Sequence, residues 1–135
     1  MNNKIIRAGA LFALLAVILG AFGAHSIKKM VDDYGIEIWH KAVLYQFIHA
    51  FAIIVAGIIS IQFPEKHLKR AAVFFTVGIF LFSGSLYMLT FSKISTINLS
   101  LVGPLTPIGG LSFIIAWIFM LMAVWQKVPQ KNSER

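Results

Sequence analysis

Residues Ala8 to Ala24 read AGALFALLAVILGAFGA, an uninterrupted apolar run that follows the basic residues Lys4 and Arg7. A basic start, an apolar middle and small residues at the end are also typical of a cleaved signal peptide, but this run is longer than the roughly 7 to 15 residues of a signal core. Its small residues recur in steps of four and three, a spacing that lets another backbone approach one helix face: Gly9, Ala13, Ala16, Gly20 and Gly23. We therefore predict a retained transmembrane helix that ends near His25.

Three further apolar runs follow, each close to the 17 to 25 residues that cross a bilayer as a helix. The four spans are expected at about residues 8–24, 42–63, 71–91 and 108–125, and none of them contains Asp, Glu, Lys or Arg. With 59% hydrophobic and 13% charged residues among 135, the chain is too apolar to fold around one small soluble core. The sequence predicts an all-α integral membrane protein, a single four-transmembrane-helix bundle over residues 1–135.

Lysine and arginine are divided unevenly between the two ends of this bundle. Eight fall on the side that holds both termini and the second loop, and four fall on the other side. The positive-inside rule then predicts cytoplasmic N and C termini. The net charge of +7 is thereby explained as an orientation signal beside anionic lipid, and no nucleic-acid partner is predicted. The absence of cysteine excludes disulfides and thiolate metal ligands.

The loops on the side away from the termini, which we call the outer side, carry two local signals. Apolar residues at helical spacing between Ser26 and Gly35 predict a short helix lying in the membrane interface after the first span. Thr106 and Pro107 are suited to the N-cap and first position of the fourth helix.

In the third span, one helix face carries polar and aromatic residues and is predicted to face the bundle interior: Thr76, Phe80, Ser83, Tyr87 and Thr90.

The chain contains four motifs in this order: LGAFGAH (19–25), WHKAVLYQFIHA (39–50), GSLY (84–87) and GPLTPIGG (103–110). With these motifs it resembles the small four-span bacterial membrane proteins grouped as domain of unknown function family 423, which are related to transmembrane protein 256. The resemblance implies a retained first helix and a multi-pass protein of the bacterial plasma (inner) membrane. It supplies no activity, substrate or cofactor.

His49 is the side chain deep within a span that titrates near neutral pH. A charge there would cost roughly 2.5 to 3.5 kcal/mol or more, so His49 is expected to be neutral and hydrogen-bonded. Ser83, Ser85 and Tyr87 of the third span are its predicted partners, with Gln46 one turn away. Two interpretations stay open, a proton carrier or ligand and a structural residue that ties helices together.

The outer side offers other candidate sites. His40 and His49 are nine residues apart, two and a half helical turns, so a continuous helix places them on opposite faces. A metal or haem site on His25 and His49 would need the first helix to bend at Gly23, and no metal or cofactor is predicted. The free N–H groups at the start of the fourth helix, beside Gly109 and Gly110, could bind a lipid phosphate. The alternative is that these glycines pack against Gly20 and Gly23.

The predicted function is binding of a membrane lipid headgroup, or of a partner membrane protein or a second copy, through a polar cluster in the outer half of the bundle. The candidate residues of this cluster are His25, Tyr45, Gln46, His49, Ser83, Ser85, Tyr87 and Thr106. No catalytic residue is assigned, and a non-enzymatic role is favoured. Two alternatives stay open: a small enzyme that acts on a lipid headgroup through His25 and His49, and an oligomeric transporter or channel.

Overall fold

The computed structural model describes residues 1–95 and 102–126. Four long helices run through these residues: α1 (Asn3–His25), α2 (Asp33–Ile59), α3 (Glu65–Ile94) and α4 (Leu105–Trp125). All four are long and apolar enough to cross a membrane. The predicted four-helix membrane bundle is therefore confirmed, although the helix bounds differ from those of the apolar runs: α2 begins nine residues earlier than the run, at Asp33, and ends at Ile59, short of Phe63.

Side-chain caps explain where α1 and α2 begin. The side-chain oxygen of Asn2 accepts a hydrogen bond from the N–H of Ile5 at 3.3 Å, and an oxygen of Asp32 accepts one from the N–H of Gly35 at 2.7 Å. Such bonds satisfy backbone donors that have no partner within the helix. The hydrogen bond from the Gly35 N–H is the main reason why the pKa of the Asp32 carboxyl lies below its usual value. The Lys93 ammonium, 3.1 Å away, lowers this pKa further.

The predicted interfacial helix between α1 and α2 is reduced to one 3₁₀ turn, Ile27–Lys29. Ile27 is buried, but Met30 and Tyr34, which were expected on the same apolar face, are more than half exposed. The reason is that α2 already begins at Asp33, so too few residues remain for a separate amphipathic helix.

The helices pack in chain order, α1 along α2, α2 against α3 and α3 against α4. The small residues of α1 face α2: a side chain at Gly9 would collide with Ile54 and with the carbonyl of Ala50, and one at Gly23 would collide with the ring of Trp39. Close approach of two backbones through small residues is the usual basis of membrane helix packing. The opposite face of α1 is exposed and apolar, as expected for a surface in contact with lipid.

A five-residue π-helical segment, Ile79–Ser83, interrupts α3. The N–H of Gly84 bonds the carbonyl of Ile79, five residues back, so the helix gains one residue in this turn. The predicted interior face of the third span assumed an uninterrupted α-helix and is partly wrong. Ser83 and Thr90 are fully buried, but Phe80 is 65% exposed.

The two ends of the bundle differ in charge. At one end, the N–H of Asn2 bonds the carbonyl of Gly57 and its side-chain amide donates to Glu65, so the start of α1, the end of α2 and the start of α3 meet. We call this the basic end; it carries Glu65 and the cations Lys4, Arg7, Lys66, Lys69 and Arg70. The described residues at the opposite end mix basic with acidic side chains, including Asp32, Asp33 and Glu37. The charge rule predicts that the basic end is cytoplasmic, and this orientation stays a prediction.

Candidate functional site

Gln46 of α2 connects three helices. It is 4% exposed, and its amide N–H donates to the carbonyl of Phe12 on α1 at 2.9 Å. The hydroxyl of Tyr87 on α3 donates to the amide oxygen of Gln46 at 3.0 Å. A buried amide that both donates and accepts thus fixes the lateral positions of α1 and α3 relative to α2.

Trp39 makes a similar connection closer to the outer end. Its ring is fully buried, and its N–H donates to the carbonyl of Leu19 on α1 at 2.9 Å. The ring also lies 4.7 Å from that of Tyr87, centre to centre. Tryptophan often anchors a membrane span at headgroup depth. The Trp39 ring instead packs inside the bundle, where the missing side chain of Gly23 makes room for it.

His49 lies one turn below Gln46 and contacts α4. Its Nδ1 is 2.7 Å from the carbonyl of Tyr45, which can only accept a hydrogen bond, so Nδ1 carries the proton. Nε2 then accepts from the indole N–H of Trp117 at 3.4 Å. The imidazole is stacked on the ring of Phe113, with centroids 3.5 Å apart and planes 4° from parallel.

These partners differ from the predicted ones. None of Ser83, Ser85 and Tyr87 bonds His49 in the described part of the chain. The expected neutral, hydrogen-bonded state agrees with both nitrogen contacts, but the partner helix is α4. Trp117 was missed, although an indole N–H within an apolar span requires an acceptor and was a usable signal.

A cavity of about 510 Å³ separates α2 from α4 on one side of the bundle. Pro107 and Gly110 line it near the start of α4, and Tyr45, His49 and Trp117 line it towards the middle of the bundle. The backbones of these two helices make little direct contact, so aromatic side chains bridge the gap. The Tyr45 side chain is partly exposed here, and its hydroxyl bonds none of the residues that the structure describes.

The other predicted site residues do not line this cavity. The hydroxyls of Ser85 and Thr106 lie 2.6 Å apart and connect α3 to α4. Thr106 is therefore not the N-cap that the sequence suggested: α4 begins at Leu105, and the Thr106 hydroxyl bonds a neighbouring helix instead. Ser83 is fully buried and, within the described ranges, has no hydrogen-bond partner. His25 is exposed at the end of α1.

The glycines of α4 pack against α3, contrary to the predicted contact with Gly20 and Gly23. A side chain at Gly109 would lie 2.8 Å from the Cα of Phe82, so backbone meets backbone at this point. Gly110 is different, because a side chain there would come no closer than 3.9 Å to the Phe82 ring. Gly110 faces the cavity and Gly109 holds α4 against the π segment of α3.

The side chains that line the cavity between α2 and α4 offer polar contacts without charge. Among residues 1–95 and 102–126, no three His, Asp or Glu side chains are grouped so that they could hold a metal ion. The cavity instead presents the Tyr45 hydroxyl and the imidazole–indole pair within an aromatic wall. Such a surface suits a neutral polar group attached to an apolar body.

Comparison with known proteins identifies relatives over most of the chain. The family described as "Protein of unknown function (DUF423)" matches residues 19–110. A UPF0382 membrane protein of Staphylococcus aureus is 39% identical over 121 residues, which cover 90% of this chain and 94% of the relative. The UPF0382 membrane protein YwdK of Bacillus subtilis is 40% identical over 119 residues, 87% of this chain and 93% of that protein. No solved structure matches the chain.

Proposed function

The chain belongs to the DUF423 family of membrane proteins of unknown function, and from the cavity between α2 and α4 we propose that it binds one membrane lipid at this position. The lipid's apolar body would occupy the aromatic groove. Its neutral polar region, an ester or a hydroxyl, would bond the Tyr45 hydroxyl. The relatives from Staphylococcus and Bacillus support a place in the bacterial plasma membrane.

The single observation that carries this proposal is the cavity of about 510 Å³ between two helices joined mainly by side chains. Its volume is within the range of about 300 to 1,000 Å³ that is typical of small-molecule sites. A gap of this kind on the surface of a membrane bundle is in contact with lipid, so a lipid is its natural occupant. The Tyr45 hydroxyl at its edge, which bonds none of the described residues, gives that occupant a preferred orientation.

The two alternatives receive less support. An enzyme acting through His25 and His49 would need both imidazoles at one place, whereas His25 is exposed at the end of α1 and His49 is engaged by Tyr45 and Trp117. A coupled transporter usually carries an acidic or basic group within its spans. The apolar cores of the four spans contain no Asp, Glu, Lys or Arg, and the one titratable imidazole, His49, is engaged by Tyr45 and Trp117.

Gly110→Trp tests the proposal because Gly110 lines the cavity and a Cβ atom there would come no closer than 3.9 Å to another residue, the ring of Phe82. We expect native mass spectrometry of the protein, released gently from its own membrane, to show one retained lipid per wild-type chain and at least tenfold less in Gly110→Trp. Ile108→Trp is the matched control, since Ile108 is exposed on α4 outside the cavity. Equal lipid retention in Gly110→Trp and wild type would refute the proposed site.

The orientation that this proposal assumes has its own test. The chain has no cysteine, so single cysteines at Ser26 and Lys66 can be labelled without background. An impermeant thiol reagent added to intact cells should modify Ser26→Cys and spare Lys66→Cys. The reverse result would place the cavity mouth in the cytoplasmic leaflet.

A further inference from the structure

A second groove, independent of the α2–α4 cavity, lies between α1 and α3 at the basic end. It has a volume of about 480 Å³. Ile5 and Ala8 form its α1 wall, Val73 and Val77 form its α3 wall, and Ile53 of α2 forms its floor. Thr76 also lines the groove, but its hydroxyl donates to the carbonyl of Ala72 at 2.8 Å, so the lining behaves as an apolar surface.

The two ends of the groove differ in their surroundings. Towards the middle of the bundle, the rings of Phe12 and Phe80 meet edge to face with centroids 5.6 Å apart, and they join α1 to α3. At the other end, Asn2, Lys4 and Lys69 surround the opening. An occupant of this groove would therefore have an apolar tail directed into the bundle and a polar group at the basic end.

The ion pairs at the opening leave an excess of positive charge. Both carboxylate oxygens of Glu65 are engaged, one by the Asn2 amide at 2.8 Å and the other by Lys69 at 3.2 Å. Lys4 takes part in none of the ion pairs found among the described residues. Arg7, Lys66 and Arg70 add to the positive potential of this end without lining the groove. Glu65 thus neutralises one lysine at most.

We propose that this groove binds an anionic phospholipid, with one acyl chain between α1 and α3 and the phosphate beside the Lys4 ammonium. Charge complementarity selects this occupant, because a basic opening above an apolar groove matches an acidic headgroup on a hydrocarbon chain. A second copy of the chain bound here in parallel would bring its own basic end against this one, and like charges facing each other are unfavourable.

The test compares two lysines of the same end. Native mass spectrometry of the full chain in detergent would follow the binding of phosphatidylglycerol and of phosphatidylcholine with identical acyl chains. We expect phosphatidylglycerol to bind more tightly and Lys4→Gln to weaken it about fivefold, the effect of one cation close to an anionic lipid. Lys66→Gln removes the same charge from the same end but outside the groove, and it should weaken binding less than twofold.

A second pair of variants tests the acyl-chain site. Ala8→Phe should fill the groove and reduce the binding of both lipids, whereas Ala10→Phe, on the exposed face of α1, should not. Repeating the series in the Gly110→Trp background separates this site from the α2–α4 cavity. The proposal is overturned if Lys66→Gln weakens binding as much as Lys4→Gln, if Ala8→Phe leaves it intact, or if the groove is found occupied by a second copy in a lipid-free dimer.

Discussion

The hydrogen bond between Gln46 and Tyr87 is expected to stabilise the packing of α1, α2 and α3. Replacing Gln46 by Met keeps the volume but removes the bonds to Phe12 and Tyr87 at 2.9 and 3.0 Å. Hydrogen bonds between membrane helices contribute about 0.6 kcal/mol each and up to about 1.7. The hydroxyl of Tyr87 also loses its acceptor in a half-buried position, which costs about 1 to 3 kcal/mol. We expect Gln46→Met to lower the free energy of unfolding by about 2 to 4 kcal/mol.

The double variant distinguishes this account from simple loss of packing. Tyr87→Phe alone should cost about 1 to 2 kcal/mol, since it leaves the Gln46 amide oxygen without its donor. Combined with Gln46→Met, it removes both partners, so the double variant should be more stable than the two single effects predict by at least about 1 kcal/mol. Unfolding in mixed micelles with increasing sodium dodecyl sulfate, followed by circular dichroism, measures all four proteins. Tyr45→Phe is the control, because its hydroxyl bonds no described residue. Additivity within about 0.5 kcal/mol would refute the reasoning.

Three further predictions concern single positions. Gly109→Ala should destabilise the bundle by about 1 to 3 kcal/mol in the same assay, because the new methyl group meets backbone, while Gly110→Ala should be neutral or slightly stabilising. His49→Phe should keep the stacked ring but cost about 1 to 3 kcal/mol, because the Trp117 N–H loses its acceptor, and adding Trp117→Phe should recover part of this loss. The folded-state pKa of Asp32 is below its unfolded value, so its stabilising effect is present above the unfolded pKa and is lost as the pH falls through the folded one. The melting temperature of Asp32→Asn, which keeps a capping oxygen, should therefore change less than that of wild type between pH 6 and pH 3.

Much of the fold could be predicted from the sequence because a bilayer restricts what can span it. Each apolar run had to be a helix, since backbone groups in hydrocarbon must be paired within the segment. The buried faces of α2 and α4 follow helical periodicity, because a regular α-helix repeats its positions every 3.6 residues. Gln46, Ala116 and Ala123 are buried accordingly.

The π segment limited the same reasoning in the third span. One additional residue in the turn at Ile79–Ser83 rotates the side chains of the second half of α3 about the helix axis relative to those of the first half. A single periodicity therefore could not describe both halves of α3, and Phe80 was assigned to the wrong face. The π segment coincides with the contact between Phe82 and Gly109, a tertiary feature that the composition of the third span alone does not specify.

The candidate site was only partly predictable because its geometry depends on which helices are neighbours. The polarity of Gln46, His49 and Tyr45 within an apolar span was enough to identify them. The hydrogen-bond partners of His49 were expected on α3, because serines and a tyrosine occur there. The pairing of His49 with Trp117 requires α4 to face α2 across a gap. Sequence periodicity gives the buried face of each helix and does not give the order in which helices surround it.

The same gap explains why ligand binding is expected between α2 and α4 and is not expected where the helix backbones meet. α1 and α2 meet through glycines and alanines, and α3 and α4 meet at Gly109, so both pairs are already in backbone contact. Between α2 and α4, side chains such as the ring of His49 stacked on Phe113 make the contact, and side chains can change rotamer more readily than backbones can separate. A lipid that fits beside these rings can therefore be admitted without breaking the bonds made by Gln46 and Trp39, which hold the remaining helices together.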